Sequence, residues 1–258
     1  MDNLWIIGIL YVLANKKRYH NIFVPSDTQA PFHHPATIEF FQYVYKLFKC
    51  KEAIHPGDEW DFKYLNRNGM MWNDPDEKFT PTDEYRKALA FLKELRSKIP
   101  IKKICHSNHS ARIWKRAKEA YIPSFLVKSY KEIIQVPNDV IVARRFVEYG
   151  GQVVVEHGDR CGNGVNAAIK LAISNRVSTV IGHHSASGGI LYNSTLRPTA
   201  SGDKREQIFG MNVGGMVDEK SYGMAWAKDF MNRTTLGCGV LVWDNQRKLV
   251  IPHFIPYD

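Results

Sequence analysis

The chain has 258 residues, 44% hydrophobic and 24% charged, with a formal net charge of +9. That length and apolar content support a substantial core in one or two domains and exclude a disordered, collagenous or low-complexity scaffold. No apolar run reaches the roughly 20 residues of a membrane span, and the four cysteines, Cys50, Cys105, Cys161 and Cys238, form no Cys-x-x-Cys pair, which fits a reduced compartment without structural zinc.

The first apolar run, Leu4 to Ala14, is broken only by Gly8 and reads as a buried strand, with a short apolar helix as the alternative. Asp2 precedes it and Lys16, Lys17 and Arg18 follow it, the reverse of a secretory leader, so the expected location is cytoplasmic, with no membrane partner. Asn21 to Pro25 reads as a strand, and Ala36 to Lys49 as a helix with Phe40, Phe41, Val44, Leu47 and Phe48 at helical spacing. Asn66 to Lys78, with Trp72, is a long loop with the character of a lid or substrate wall. Thr80, Pro81 and Asp83 start a helix as cap, first-turn proline and first-turn acid, with Tyr85, Ala88, Leu89, Leu92, Leu95 and Ile99 on one face. Ile101 to Cys105 is a predicted strand and Ala111 to Tyr121 a basic helix. A strand over Gln152 to Glu156 precedes a helix over Gly164 to Asn175 with Val165, Ala168, Ile169 and Ala172 inward, and Val177 to Ile181 is a further strand. Val240 to Trp243 and Leu249 to Ile251 flank Asp244-Asn245-Gln246 as a hairpin. Alternating strands and helices with an antiparallel tail and no linker predict one α/β domain over residues 1–258, built on mixed sheet.

Charge is uneven. Between Lys102 and Lys131 eight basic residues face one acid, Glu119, a field suited to a polyanion or to an ordinary solvated helix face. Trp114, Tyr121 and Tyr130 interleave with these cations and offer rings for stacking on bases, or for core packing.

Ligand-type residues recur just beyond the predicted strands. Asp27 and Gln29 follow the first, Asp58 and Asp61 lie in Gly57-Asp58-Glu59-Trp60-Asp61, Asn108 and His109 follow Cys105, His157 follows Glu156, and His183 and His184 follow Ile181. Loops past the carboxyl ends of strands converge on one crevice in α/β sheets. Each short motif alone is more often a turn, a cap or a hydrogen-bonded histidine. Their joint order points instead to hard oxygen and borderline nitrogen ligands for a metal such as Mn, Fe, Zn or Ni.

That order resembles the calcineurin-like metallophosphoesterase superfamily, whose blocks run Asp-x-His, Gly-Asp-x-x-Asp, Gly-Asn-His-Asp/Glu, His and Gly-His-x-His. Here they stand as Asp27-Thr28-Gln29, Gly57 to Asp61, Ser107-Asn108-His109-Ser110, His157-Gly158-Asp159 and Gly182-His183-His184-Ser185, and they look most like bacteriophage-encoded members. The resemblance implies a four-layer fold, two mixed β-sheets packed as a sandwich between helices, and two divalent ions, Mn foremost, with Fe, Zn, Ni or Mg as options. It implies that Asp58 bridges the ions, that Asn108, His157 and His183 complete one site, and that Asp27, Gln29 and His184 serve the other. His109 would protonate the leaving oxygen, Asp61 would orient His109, and Arg112 would bind phosphate, with Lys115 and Arg116 extending the substrate surface. Two positions depart from the pattern: Gln29 replaces a histidine, and Ser185 stands where the last histidine belongs, with His184 one residue earlier. The implied activity is hydrolysis of phosphodiester bonds in a nucleic acid or nucleotide by hydroxide activated at a dinuclear centre. The alternatives are a phosphomonoesterase on the same centre and a degenerate member that binds nucleic acid without turnover. If the chain is phage-encoded, the expected location is the host cytoplasm.

Overall fold

The computed structural model describes residues 19–66, 80–162, 164–200, 202–221 and 233–257. The predicted strand over Leu4 to Ala14 and nearly all of the Asn66 to Lys78 loop lie outside the described residues.

Strand β1 (Ile22–Val24) is three residues of a β-branched and aromatic run, all buried. Helix α1 (Thr37–Leu47) follows, then β2 (Glu52–His55). Helix α2 (Pro81–Lys98) starts as its sequence dictates: the Thr80 side chain accepts from the Asp83 N–H and the Asp83 carboxylate accepts from Thr80, a reciprocal cap with Pro81 in the first turn. Then come β3 (Ile101–Cys105), α3 (Arg112–Glu119), the single turn α4 (Tyr130–Ile133), β4 (Ile141–Ala143), β5 (Arg145–Glu148) and β6 (Val153–Glu156). The chain continues through α5 (Ala167–Asn175), β7 (Ser178–Ile181), β8 (Gly188–Thr199), β9 (Gly202–Val213), β10 (Gly237–Asp244) and β11 (Leu249–Pro256).

Among the described residues these strands form two mixed sheets. One has the order β11-β10-β1-β2-β3-β4, and the other β5-β6-β7-β9-β8. In the first, β1 to β4 run parallel while β10 and β11 add antiparallel. In the second, β6, β7 and β9 run parallel, flanked by antiparallel β5 and β8. The period-two alternation of a strand sends Ile22 and Val24 into a core shared with Phe146, Val153, Val155, Val180, Met211 and Val213 of the second sheet. Phe23 points the other way, onto Phe41 of α1, with ring centroids 5.4 Å apart, in a second core that also takes Leu92 and Leu95 of α2. On the far side of the second sheet, Ala167 and Ala168 of α5 cover Ile181. The order is therefore helices, sheet, sheet, helix: the expected α/β sandwich of two mixed sheets.

Several predicted details shift. Helix α5 begins at Ala167, so Val165 precedes it and is 69% exposed instead of inward. Leu47 and Tyr85 are exposed, whereas the other predicted inward residues of α2 are buried. The β8–β9 hairpin has no counterpart in the sequence reading, because most residues described in its outer half are exposed and the sequence there carries no apolar alternation. Among the described residues no helix is long and apolar enough to cross a membrane.

Candidate metal centre

Because β1, β2 and β3 run parallel in one sheet and β6 and β7 in the other, their carboxyl ends deliver five loops to one edge of the sandwich. The β2 loop turns at Gly57, whose φ of +113° suits glycine. A Cβ there would lie 2.9 Å from both His157 Nδ1 and Ser107 Cβ, so the missing side chain lets three loops meet. Next, Asp58 adopts a left-handed φ of 53°. Gln29 (φ 43°) and His183 (φ 67°) do the same, so three ligand-type side chains sit on backbone that ordinary residues avoid, a pattern that clusters at functional sites.

Among the described residues, ligand atoms of Asp58, His157 and His183 all lie within 4.8 Å of one another. His157 Nε2 is 2.7 Å from Asn108 Oδ1, 3.2 Å from His183 Nδ1 and 3.4 Å from Asp58 Oδ2. Its other nitrogen, Nδ1, lies 3.2 Å from the Pro56 carbonyl, a contact that turns Nε2 toward the cluster. Burial would depress the His157 pKa, but Asp58 beside it outweighs burial and lifts it to about 9. Positive charge is thus favoured where the lone pairs converge. Burial and neighbouring His157 push His183 down to about 4, the neutral state a nitrogen ligand requires. Although burial opposes ionisation, His109 and His157 hold the Asp58 carboxyl well below its usual range.

Asp27 is fully buried, and neither carboxylate oxygen has a well-formed hydrogen bond among the described residues, although the His183 backbone favours its ionised form. Burial first and Asp58 second push its pKa well above the ordinary carboxylate value. Three buried carboxylate oxygens, both of Asp27 and Oδ1 of Asp58, thus lack a hydrogen-bond partner among the described residues, which is costly unless a cation meets them, so this donor set fits divalent metal. The fit is close at Gly182, where a Cβ would come within 2.3 Å of Asp27 Oδ1. We expect Gly182→Ala to cost about 1–3 kcal/mol of stability, the usual scale of overpacking, and to weaken metal binding. Thermal unfolding with and without Mn reads both effects, and a variant indistinguishable from wild type in both would refute the close approach.

The remaining predicted residues divide. His109 Nδ1 lies 3.0 Å from Asp61 Oδ1, and His109 Nε2 lies 3.0 Å from Arg112 Nη2 and 3.7 Å from Asp58 Oδ2. Arg112 Nη1 donates to the Asp61 backbone oxygen at 2.6 Å and to Asp61 Oδ1 at 3.0 Å. The structure therefore brings His109, Asp61 and Arg112 together beside Asp58. Ser107 and Ser110 pinch the Asn108-His109 turn, each backbone N–H donating to the other's hydroxyl at 2.9 and 3.0 Å. The Gln29 N–H donates to the Asp58 carbonyl at 2.9 Å, which seats Gln29 at the rim with its side chain half-buried. His184 turns aside: its Nε2 is 3.6 Å from Cys161 Sγ. Ser185 lies against Gly215, its Cβ 2.9 Å from where a Gly215 Cβ would sit.

Lys115 is exposed on α3, and Arg116 is tied to the Leu65 carbonyl (2.8 Å) and Glu119 (2.6 Å). The eight cations do not act as one field. Lys102 pairs with Asp139, and Lys103 lies 2.7 Å from Glu52 and 2.6 Å from Glu148, so the β3 pair is neutralised. Tyr130 is buried and donates to Glu59, and Trp114 packs against the helix-side core, so of the three interleaved aromatics only Tyr121 offers an open ring face.

Sequence reasoning missed the residues that lock the Asp58–Asp61 turn. Glu84 of α2 accepts from Lys63 N–H (2.9 Å), Tyr64 N–H (3.3 Å) and Trp60 Nε1 (3.3 Å), from 20 to 24 residues away in sequence. His55, fully buried, accepts from the Gly57 N–H at 3.2 Å. Neither has a sequence signal, since each is an ordinary polar residue inside an element. Glu84→Ala would strand three donors, and at about 1–3 kcal/mol for each buried group left unpaired we expect at least about 2 kcal/mol lost in a urea melt. A loss under about 0.5 kcal/mol would show that water replaces the carboxylate.

No family model and no curated protein matches the chain. Among solved structures, vacuolar protein sorting 29 from Cryptosporidium parvum is similar over 93% of this chain and 98% of that one, at 8% identity and a TM-score of 0.41. Vps29 from Chaetomium thermophilum covers the same shares at 12% identity and a TM-score of 0.36. Likeness at that level assigns neither family nor activity to this chain.

Proposed function

We propose that the chain is a metal-dependent phosphoesterase that hydrolyses phosphodiester bonds of a nucleic acid or nucleotide. One observation carries the reading: the Asp58, His157 and His183 cluster, joined by Asn108 and the unpartnered carboxylate of Asp27, lies directly beside His109, Asp61 and Arg112. A ligand set alone would only bind metal; the adjacent imidazole and guanidinium add what phosphate chemistry needs. The motif order resembling the calcineurin-like metallophosphoesterases supports the same reading.

Two divalent ions, Mn foremost, would supply charge for the phosphoryl oxygens and acidify water. Asp58, Asn108, His157 and His183 would hold one, and Asp27, Asp58 and Gln29 the other, with His184 available only after turning from Cys161. In the reaction a water oxygen bonds to phosphorus, the phosphorus–oxygen bond to the leaving alcohol breaks, and a proton goes to that alcohol. His109 Nε2, which accepts from Arg112 Nη2 here, takes up the proton released by the attacking water once that arm turns to phosphate, and delivers it to the alcohol. Arg112 holds a non-bridging oxygen with one arm of its fork while the other stays on Asp61. Asp61 fixes both partners.

The departures at Gln29 and Ser185 favour a second reading, a member that binds nucleic acid without turnover. Labelled single- and double-stranded DNA and RNA incubated in Mn, with EDTA and Asn108→Ala as controls, separates them. Metal-dependent cutting lost in the variant is the expected result. Hydrolysis of nitrophenyl phosphate without cutting would indicate a monoesterase, and no hydrolysis at all would favour the non-catalytic member.

A further inference from the structure

We infer that the basic helix α3 and the exposed aromatic turn behind it form a binding track for single-stranded nucleic acid leading away from the metal centre. This rests on the proposed phosphodiesterase reading for the identity of the scissile bond. A groove of about 310 Å³ is lined by Asn108 and Arg112, then Lys115, Arg116 and Glu119, with Leu65 and Asn66 as its opposite wall. It begins at two residues of the site and runs the length of α3, about 12 Å for eight residues. That length spans about three nucleotides at the 3.4 Å stacking interval.

At the far end the chain exposes every residue from 118 to 126. Tyr121 is 94% exposed, Phe125 84% and Leu126 66%, an unusual concentration of open apolar surface for nine residues. Cations flank it in sequence: Lys115, Lys118 and Lys128 are exposed and form no ion pair among the described residues. Glu119 is the acid in the groove, and its charge is met by Arg116 at 2.6 Å. Open rings on a segment flanked in sequence by lysines without an ion pair among the described residues, following a helix that starts at Arg112, match the needs of unpaired bases on a phosphate backbone: rings stack on bases while cations follow phosphates. A duplex hides its base faces and would use only the cations. An anionic membrane or a phosphopeptide would use charge without requiring the groove.

The test uses the full chain and a fluorescent oligothymidine of twelve nucleotides. Binding is measured in EDTA, so that nothing is cut, and nitrophenyl phosphate hydrolysis in Mn is measured in parallel. Both rings are outside the core, so Tyr121→Ala with Phe125→Ala leaves the fold intact, which a thermal melt verifies. We expect the double variant to bind the oligonucleotide at least tenfold more weakly, Tyr121→Phe to bind like wild type, and hydrolysis of the small ester to stay unchanged in both. Wild-type affinity in the double variant, or equal ring dependence for a blunt duplex, would overturn the inference. So would a wild type that ignores the oligonucleotide yet hydrolyses the small ester, which leaves the phosphoesterase reading standing. Ring-dependent binding with no hydrolysis of any ester would defeat that reading and keep the track. Loss of binding to phosphatidylserine vesicles or a phosphopeptide, with oligonucleotide binding intact, would reassign the surface and reject the inference.

Discussion

Asn108→Ala, His157→Ala and His183→Ala are each expected to abolish hydrolysis by loss of metal. The three side chains come from loops after β3, β6 and β7, and their ligand atoms meet within 2.7 and 3.2 Å of His157 Nε2. Such a site has no redundancy, because each ligand arrives from a different loop. Losing an outer partner of a metal ligand typically costs 10–100-fold in affinity, so direct ligand loss should exceed about 100-fold. The His157 substitution carries an added cost. Its ring is buried and contacts the Pro56 carbonyl, so alanine leaves a cavity and removes one of the two imidazoles beside Asp58. Equilibrium dialysis against Mn, followed by metal analysis, separates metal loss from misfolding when read beside a thermal melt. Full metal content and wild-type turnover in all three variants would remove these residues from the site.

His109→Ala should behave differently: metal retained, turnover lowered by about 10²–10⁴-fold, the usual contribution of a positioned proton donor. His109 Nε2 stands 3.7 Å from Asp58 Oδ2, close to the cluster, while its other nitrogen sits 3.0 Å from Asp61. Truncation also frees Arg112 Nη2, which loses its partner at 3.0 Å but keeps Asp61 through Nη1. Phosphate binding should therefore survive better than turnover, and KM should change less than kcat. A nitrophenyl ester, whose leaving group needs little protonation, should be affected least. Equal losses for good and poor leaving groups would reassign His109 from proton delivery to binding.

Much of the scaffold could be read from the chain because its signals are local. Ile101 to Cys105 lies between Pro100 and a polar loop, with Ile101, Ile104 and Cys105 as its apolar residues, and it forms β3 with those bounds. Thr80, Pro81 and Asp83 carry their own capping chemistry, and α2 starts there. Asp58, His157 and His183 could be grouped because each follows a strand, and parallel strands share a carboxyl end. What stayed hidden depends on tertiary packing. Glu59 looks like a spacer between two aspartates, yet it is buried against Tyr130, and burial lifts its pKa to about 7. Tyr130, a candidate for stacking on bases, is fixed there as a structural donor. Lys102 and Lys103 add to the basic run in sequence, but β3 carries them at its opposite end from Asn108, where acids meet them. Polar partners that converge from 20 or more residues away leave no periodicity to detect.

The central claim is that the carboxyl ends of both sheets build one dinuclear centre, and metal stoichiometry tests it most directly. Wild-type protein stripped with EDTA and dialysed against excess Mn should hold two ions per chain, and Asp27→Ala should hold one, because in the proposed arrangement Asp27 would serve only the site it shares with Asp58. Fewer than two ions in the wild type would show that Gln29, with His184 turned toward Cys161, leaves that site unable to bind. No bound ion at all would contradict the metal centre itself.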